Sequence, residues 1–274
     1  MIAGLSPGAP AAPANENHAD PLRIYCCPPL SNYPPFYSWP EGADRPTGHG
    51  VDLALAKKLG RSIEFVGLPL DTNLQQPRID ILQRDRADLV VSCFTINAKR
   101  EKQVAFSEPY FADGLGILVR ADSKLNSLAD SPDSTVIAWR HTTAYNWAIE
   151  NLPAATIISE WPKGFTGNPE VILINQMAGA CITNKTQLTS IAERNKELRV
   201  LPTLFKKEQW GVAARKDAEQ LLQAVNVALQ IMKKNGRLKS IRNTWMGSAS
   251  SSESKADGKS KRRSGRCHKR KRGR

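Results

Sequence analysis

The chain has 274 residues, 41% of them hydrophobic, and a formal net charge of +13. This length allows one large or two ordinary domains with a buried core, and no stretch approaches the ~20 apolar residues that cross a bilayer. Residues 248–274 contain eleven Lys or Arg and two acidic residues, so they carry +9 of the +13. The basic balance therefore says little about the remaining, folded part of the chain.

The first residues and the cysteines give no cellular address. Residues 1–21 have neither a basic n-region nor an apolar core, so they do not resemble a signal peptide, and we expect a disordered leader. The cysteines have no metal-ligand spacing, and adjacent ones such as Cys26 and Cys27 rarely bridge each other. We therefore expect no metal and no cofactor, and the cysteines do not indicate a redox compartment.

Strand and helix patterns alternate in the first part of the chain. Strands are predicted at 22–26, 62–68 and 87–92, with helices at 48–60 and from Pro77. Together they form a βαβαβ unit.

A proline-rich loop, SNYPPF at residues 31–36, follows the first strand. It is expected to be rigid and to hold Tyr33 and Phe36 at the carboxyl end of that strand, where open α/β sheets bind ligands.

Residues 92–110, SCFTINAKREKQVAFSEPY, follow the third strand. Asn97 is expected to cap a helix, which places Arg100 at the third helical position. A guanidinium beside unpaired N–H groups at a positive helix end favours an anion. The alternative is an arginine on the helix surface, alone or paired with Glu101 or Glu108.

This segment resembles the signature S-x-x-T-I-T-x-x-R-x-x-x-V-x-F-S-x-P-Y of the family 3 extracellular solute-binding proteins, the amino-acid receptors of bacterial ABC importers. The matching residues are Ser92, Thr95, Ile96, Arg100, Val104, Phe106, Ser107, Pro109 and Tyr110. The similarity extends in register from about residue 22 to residue 247. It implies a two-lobed fold with a ligand cleft, an extracytoplasmic location and a membrane permease as partner.

The resemblance also implies roles in the first lobe. Arg100 would clamp a ligand carboxylate with help from the N–H group and the hydroxyl of Thr95, while Ser92 and Cys93 would lie against the ligand. Tyr33 would cover the ligand side chain, although the rings of the loop could instead belong to the core. Arg78 matches an arginine that meets a side-chain carboxylate in the acidic-amino-acid branch, but a solvated helical arginine is slightly favoured.

The second part of the chain repeats the alternation. Strands are predicted at 115–120, 135–139, 155–159 and 180–183, with helices from Thr142 and Asn168. Residues 111–116 are expected to form the first hinge crossing, where Gly114 and Gly116 supply backbone freedom.

The turn HTT at residues 141–143 resembles the family's G-T-T or G-S-T turn. Thr142 and Thr143, at a helix start, would offer hydroxyl and N–H groups to an anion from the opposite wall. Simple helix capping is the alternative. His141 stands where glycine is usual, so its bulk would alter the approach of a ligand or its ring would contact it.

The end of the strand at 180–183 departs from the family pattern. Asn184 occupies the place of an aspartate that pairs with the ligand's α-ammonium. A carboxamide accepts a hydrogen bond without charge, and charge-assisted bonds are worth ~1.5–3 kcal/mol against ~1 for neutral ones. Either other oxygens compensate, the ligand has no ammonium, or Asn184 is a surface residue.

The C-terminal part returns to the first lobe. Residues 209–215 match the family's returning strand, with Trp210 near the second hinge crossing, and helices are predicted from Asp217 to Gly236 and on to Trp245. Both helices should pack on the first lobe. The tail at 248–274 is predicted to be disordered and to contact anionic surfaces nonspecifically.

These observations predict an α/β fold with two βαβ-based lobes and two hinge crossings. The expected segments are a leader at 1–21, the first lobe at 22–112, the second at 113–208, the return strand and helices at 209–247, and the tail at 248–274. The expected function is that of a monomeric, non-enzymatic ABC-importer receptor for a carboxylate-bearing solute such as a polar amino acid. Arg100 and Arg78, with no matched aspartate, favour an acidic ligand.

Two alternatives remain on the same fold. One is a periplasmic dehydratase of prephenate-like acids, which needs an acid or base in the cleft, and only His141 offers one at the matching positions. The other is an accessory or sensory binding protein that has no permease.

Overall fold

A computed structural model describes residues 20–26, 32–33, 37–38, 47–48, 50–67, 76–130, 133–160, 169–202 and 204–246. Almost all of the predicted leader, most of the proline-rich loop and the basic tail lie outside the described residues. None of the helices in the described part has the length and apolar character needed to span a membrane.

The strands of the described part are β1 (Leu22–Tyr25), β2 (Asn32–Tyr33), β3 (Tyr37–Ser38), β4 (Thr47–Gly48), β5 (Ile63–Phe65), β6 (Leu89–Val90), β7 (Ala105–Phe106), β8 (Phe111–Arg120), β9 (Thr135–Ile137), β10 (Thr156–Ile158), β11 (Ala180–Asn184), β12 (Leu198–Val200), β13 (Lys206–Trp210) and β14 (Ala213–Ala214). The α-helices are α1 (Val51–Leu59), α2 (Gln76–Gln83), α3 (Ala98–Glu101), α4 (Thr143–Asn151), α5 (Pro169–Ile174), α6 (Lys185–Arg194), α7 (Glu219–Lys234) and α8 (Arg237–Met246).

The first sheet has the strand order β5-β1-β6-β14-β7. Its strand β1 lies parallel to β5 and β6, whereas β14 is antiparallel to β6 and β7. The predicted strands at 62–68 and 87–92 are shorter, since the structure gives Ile63–Phe65 and Leu89–Val90.

Helices from both ends of the chain cover the first sheet. One apolar cluster joins Leu55 of α1 to Leu22 and Ile24 of β1 and to Met232 of α7 and Ile241 of α8. The C-terminal helices therefore pack on the first sheet, as their apolar stripes predict.

The end of α1 follows directly from its sequence. Gly60 has φ 65°, and its N–H bonds the carbonyls of Ala56 and Lys57. A left-handed residue after the last turn is a common helix stop and favours glycine.

The second sheet has the order β10-β9-β11-β8-β12, and β13 adds to β8 beyond this path. The strands β9, β10 and β11 are parallel to one another, and β8 runs antiparallel to β11, β12 and β13. Apolar residues pack into two further clusters on the strands of this sheet, with Ala144 and Ala148 of α4 in one and Leu188 and Ile191 of α6 in the other.

Two paired strands connect the sheets, and we call them the crossing ribbon. Strand β8 begins just after β7 of the first sheet and ends deep in the second, while β13 leads back to β14 of the first sheet. The two strands pair residue by residue from Phe111 with Trp210 to Leu115 with Lys206.

The reason for glycine at position 114 differs from the prediction. Gly114 lies inside β8, and a Cβ added there would be 2.2 Å from the carbonyl oxygen of Lys206. Glycine is therefore needed for the close approach of the two strands, rather than for backbone freedom. A Cβ at Gly116 would similarly lie 3.2 Å from Cβ of Lys185.

Candidate functional site

Arg100 is positioned by the local structure that the sequence predicts. The side chain of Asn97 accepts a hydrogen bond of 3.0 Å from the backbone N–H of Arg100, and α3 follows directly. The helix has only four residues, so its dipole contributes little. The guanidinium is nevertheless inside the protein, since Arg100 is 8% exposed. The alternative of a surface arginine is therefore wrong.

A second buried arginine lies beside the first. The guanidinium carbons of Arg100 and Arg78 lie 4.4 Å and 5.7 Å from the ring centroid of Phe94. Arg78 is 5% exposed, so the solvated position that the sequence slightly favours is wrong. Burial and the charge of Arg78 lower the pKa of Arg100 to about 9, while the Glu208 carboxylate acts in the opposite direction. Arg100 thus remains protonated at neutral pH.

Thr95 connects Arg100 to an acidic residue. The Arg100 guanidinium donates to the carbonyl of Thr95 at 2.7 Å, and Thr95 Oγ1 donates to Oε2 of Glu208 at 2.9 Å. The hydroxyl proton of Thr95 is thereby engaged with the protein itself. This arrangement corrects the expectation that the hydroxyl is available to a ligand carboxylate.

The crossing ribbon fixes this arrangement. Ile96 N–H donates to the Gln209 carbonyl at 2.8 Å, and Gly211 N–H donates to the Phe94 carbonyl at 3.2 Å. Thr95 is therefore held opposite Trp210 at the end of the ribbon.

Two buried oxygen atoms, one at the start of the 92–110 segment and one on the crossing ribbon, have no hydrogen-bond partner within the described part of the chain. They are Oγ of Ser92, a residue that is 1% exposed, and Oε1 of Glu208, which is 4% exposed. An unsatisfied buried polar group costs ~1–3 kcal/mol and more if charged. Cys93 follows Ser92 with φ 40° and is half-buried.

The acidic side of the site continues across the crossing ribbon. Glu208 pairs with Asp113, and directly opposed residues of antiparallel strands project from the same face. The Asp113 carboxylate accepts from Thr186 N–H at the start of α6 at 3.3 Å. Burial, with a smaller effect of the Glu208 charge, raises the pKa of Asp113 to about 6.

The predicted residues of the opposite wall have varied environments. Thr142 caps α4, since its Oγ1 accepts from Tyr145 N–H at 3.0 Å and donates to the Trp139 carbonyl at 2.6 Å. Both functions of that hydroxyl are used by the fold, so Thr142 acts as the helix cap. Thr143, in the first turn of α4, retains one of the N–H groups that have no intrahelical partner.

His141 and Asn184 are the two residues of this wall that depart from the family pattern. His141 is exposed and has φ 64°, a backbone conformation that glycine adopts without strain. Asn184 ends β11, directly before α6, and is half-buried. Its side chain does not cap α6. The backbone of Tyr33 pairs with Tyr37 in β2 and β3, but its side chain lies outside the described residues.

Sequence reasoning missed Glu208 and Asp113. The alternation along β13 was a signal for Glu208. Glu208 and Trp210 lie on the buried face of this strand, whereas Lys207 and Gln209 lie on its exposed face. The part of the chain that the structure describes contains no group of three or more His, Cys, Asp or Glu side chains that could hold a metal ion.

The fold has two sheets that are covered by helices and joined by a two-stranded crossing, and a pair of buried arginines lies beside the crossing. These features define the class of two-lobed solute-binding proteins. Residues 29–248 match the model of the bacterial extracellular solute-binding proteins, family 3, and the chain belongs to this family. The resemblance seen at residues 92–110 and the predicted fold class are thus confirmed.

Characterised relatives include binding proteins of amino-acid transporters. The chain is 28% identical over 202 residues to the ABC transporter glutamine-binding protein GlnH of Bacillus subtilis, covering 72% of each chain. It is 29% identical over 225 residues to the L-cystine-binding protein TcyJ of Escherichia coli K12, covering 78% of this chain and 79% of TcyJ.

A solved structure of similar fold is that of the ancestral amino acid-binding protein AncCDT-1, described as a precursor of cyclohexadienyl dehydratase. The TM-score is 0.70 at 32% identity, covering 82% of this chain and 95% of that chain.

Proposed function

We propose that this chain is the substrate-binding receptor of an ABC importer and that it binds a polar amino acid between its two lobes. The proposed lobes are residues 22–112 and 113–208, with 209–247 returning to the first. Two relatives named for glutamine and L-cystine support an amino-acid ligand. The family's description as extracellular supports an extracytoplasmic location.

The burial of the Arg100 guanidinium is the observation that carries this proposal. A cation that is 8% exposed, beside a second buried arginine, has lost most of its hydration, and such burial costs several kcal/mol. A ligand carboxylate can offset this cost because guanidinium and carboxylate form two parallel charge-assisted hydrogen bonds.

The other predicted residues are assigned to the ligand as follows. Ser92 and Cys93 line the carboxylate side, Thr143 contributes an N–H group from the second lobe, and Asn184 accepts a hydrogen bond. Tyr33 covers the ligand side chain. Thr142 acts only through capping.

The charges at the site favour a zwitterion over an acidic ligand. The preference for an acidic ligand relied on two arginines without a matched carboxylate. Buried Glu208 and half-buried Asp113 remove much of that argument, because these two carboxylates equal Arg78 and Arg100 in number. A neutral polar amino acid fits this balance.

Binding would draw the lobes together, and a membrane permease would recognise the closed form. We expect a monomer, since one chain supplies both walls of the site. Stimulation of the partner transporter's ATPase in proteoliposomes by ligand-loaded protein would distinguish an importer receptor from a sensory binding protein.

A thermal-shift panel of amino acids, dicarboxylates and keto acids tests the ligand class. A ligand at 100 times its Kd should add ~2.7 kcal/mol of stability. Arg100→Ala should abolish the shift, whereas Lys99→Ala, which removes an exposed neighbouring cation, should retain it. A shift that survives in Arg100→Ala would reject the proposed site.

A dehydratase-like enzyme is the second candidate, and two observations favour it. Asp113, with a pKa of about 6, could exchange a proton near neutrality, and the similar ancestral protein is described as a precursor of cyclohexadienyl dehydratase. Incubation with prephenate-like acids, followed by ultraviolet detection of an aromatic product, decides between binding and turnover. We expect binding without turnover.

A further inference from the structure

The missing aspartate at position 184 leaves open which group receives the ligand's ammonium. Asn184 supplies no charge, and it lies at the end of β11. A charged acceptor must therefore come from another element if the ligand is an α-amino acid. The described residues near Arg100 and Thr95 offer one in Glu208.

Glu208 combines burial with an unused oxygen atom. It is 4% exposed, its Oε2 accepts from Thr95 Oγ1 at 2.9 Å, and its Oε1 has no hydrogen-bond partner among the described residues. The unpaired Oε1 therefore belongs to the same carboxylate whose Oε2 contacts Thr95. A donor that carried positive charge would relieve the cost of this unpaired atom.

The geometry places a cation and an anion on the two sides of one residue. Arg100 donates to the carbonyl of Thr95, and Glu208 accepts from its hydroxyl. In an α-amino acid the carboxylate and the ammonium are attached to a single carbon atom, so they also lie side by side. Ligand and protein thus present complementary pairs of opposite charges.

The position of Asp113 strengthens the negative end. It lies directly across the crossing ribbon from Glu208, on the same face. Two adjacent carboxylates repel each other, and an ammonium placed next to them removes this repulsion. Asp113 also accepts a hydrogen bond from Thr186 N–H in the first turn of α6, a helix that packs on the second sheet.

We propose that Glu208, supported by Asp113, is the specificity-determining residue that receives the ligand's α-ammonium in place of the absent aspartate. This inference rests on the proposed function, because it concerns the same ligand. It assigns the negative pole of the site to the crossing ribbon, and it defines the ligand class as α-amino acids with a free amino group.

The test compares each amino acid that binds with its des-amino acid, which keeps the carboxylate and side chain. Calorimetry is performed on the wild type, on Glu208→Gln and on Glu197→Gln, a control at an exposed glutamate. Glutamine keeps the size of the side chain and an acceptor for Thr95. We expect Glu208→Gln to weaken amino-acid binding by about tenfold or more and to change des-amino binding by less than about threefold. Glu197→Gln should change neither.

A second measurement uses only the wild type, in case Glu208→Gln fails to fold. The N-acetylated form of the same amino acid keeps the carboxylate but has no ammonium, and it should show no measurable binding. Equal losses for both ligands in Glu208→Gln would show that Glu208 only positions Thr95, and unchanged affinities would place the ammonium elsewhere. Wild-type protein that binds no amino acid would instead overturn the proposed function itself.

Discussion

The half-buried carboxylate of Asp113 makes a pH-dependent contribution to the stability of the protein. Its pKa is raised from 3.8 to about 6, chiefly by burial. A raised pKa in the folded state means that the folded protein holds this proton at pH values where the unfolded chain has released it. The contribution of Asp113 to stability therefore falls as the pH rises from about 4 to about 6, and above that window the folded state carries the full cost of this charge.

Asp113→Asn removes this cost and keeps an oxygen that can accept from Thr186 N–H. The shift of about two pKa units corresponds to ~3 kcal/mol, at 1.36 kcal/mol for each unit. Relative to the wild type, the variant should therefore gain up to ~3 kcal/mol of unfolding free energy between about pH 4 and pH 7. Taking the difference between the two proteins cancels the other titrating groups.

Urea denaturation followed by circular dichroism at several pH values across this window measures the difference. Asp133→Asn, at an exposed aspartate, serves as the matched control and should give a difference that does not change with pH. Parallel stability curves for the wild type and Asp113→Asn would refute the assignment of a costly buried charge at this position.

Four further substitutions test the packing described above, each by urea denaturation. Gly114→Ala places a Cβ against the Lys206 carbonyl and should lower the unfolding free energy by ~2–3 kcal/mol. Gly60→Ala serves as the comparison, since Gly60 has open space around it but φ 65°, and it should cost ~1 kcal/mol. Equal costs would contradict the close approach of the strands. Asn97→Ala removes the cap of α3 and should cost ~1 kcal/mol and weaken ligand binding, and an unaffected affinity would separate the cap from the site. Met232→Ala, at a fully buried position, should cost ~2–5 kcal/mol, and a smaller loss would mean that α7 packs loosely on the first sheet.

Local signals in the sequence predicted the position of Arg100 well. The cap at Asn97 and the third helical position of Arg100 depend on residues within one turn, so they follow from residue types alone. Most of the element order also followed from periodicity, because alternating strands and helices leave few topologies. The helix α6 and the strand β12 were not predicted, and the return strand predicted at 209–215 is divided into β13 and β14.

Long-range contacts account for what the sequence left out. Glu208 meets Thr95 across 113 positions of sequence, and no local pattern indicates which distant strand will pair beside a motif. Arg78 was expected to be solvated because a helical arginine usually is, but its guanidinium lies near Phe94. Its burial depends on how α2 packs, which single-sequence patterns do not determine.

The register of the crossing ribbon limits how the two sheets can move. Five successive residues of β8 face five of β13, so sliding one strand along the other would break their shared hydrogen bonds together. Bending or twisting both strands as one strip preserves those bonds. The paired register thus favours bending or twisting of the strip over sliding of its strands, and Glu208 and Asp113 form the middle pair of the strip.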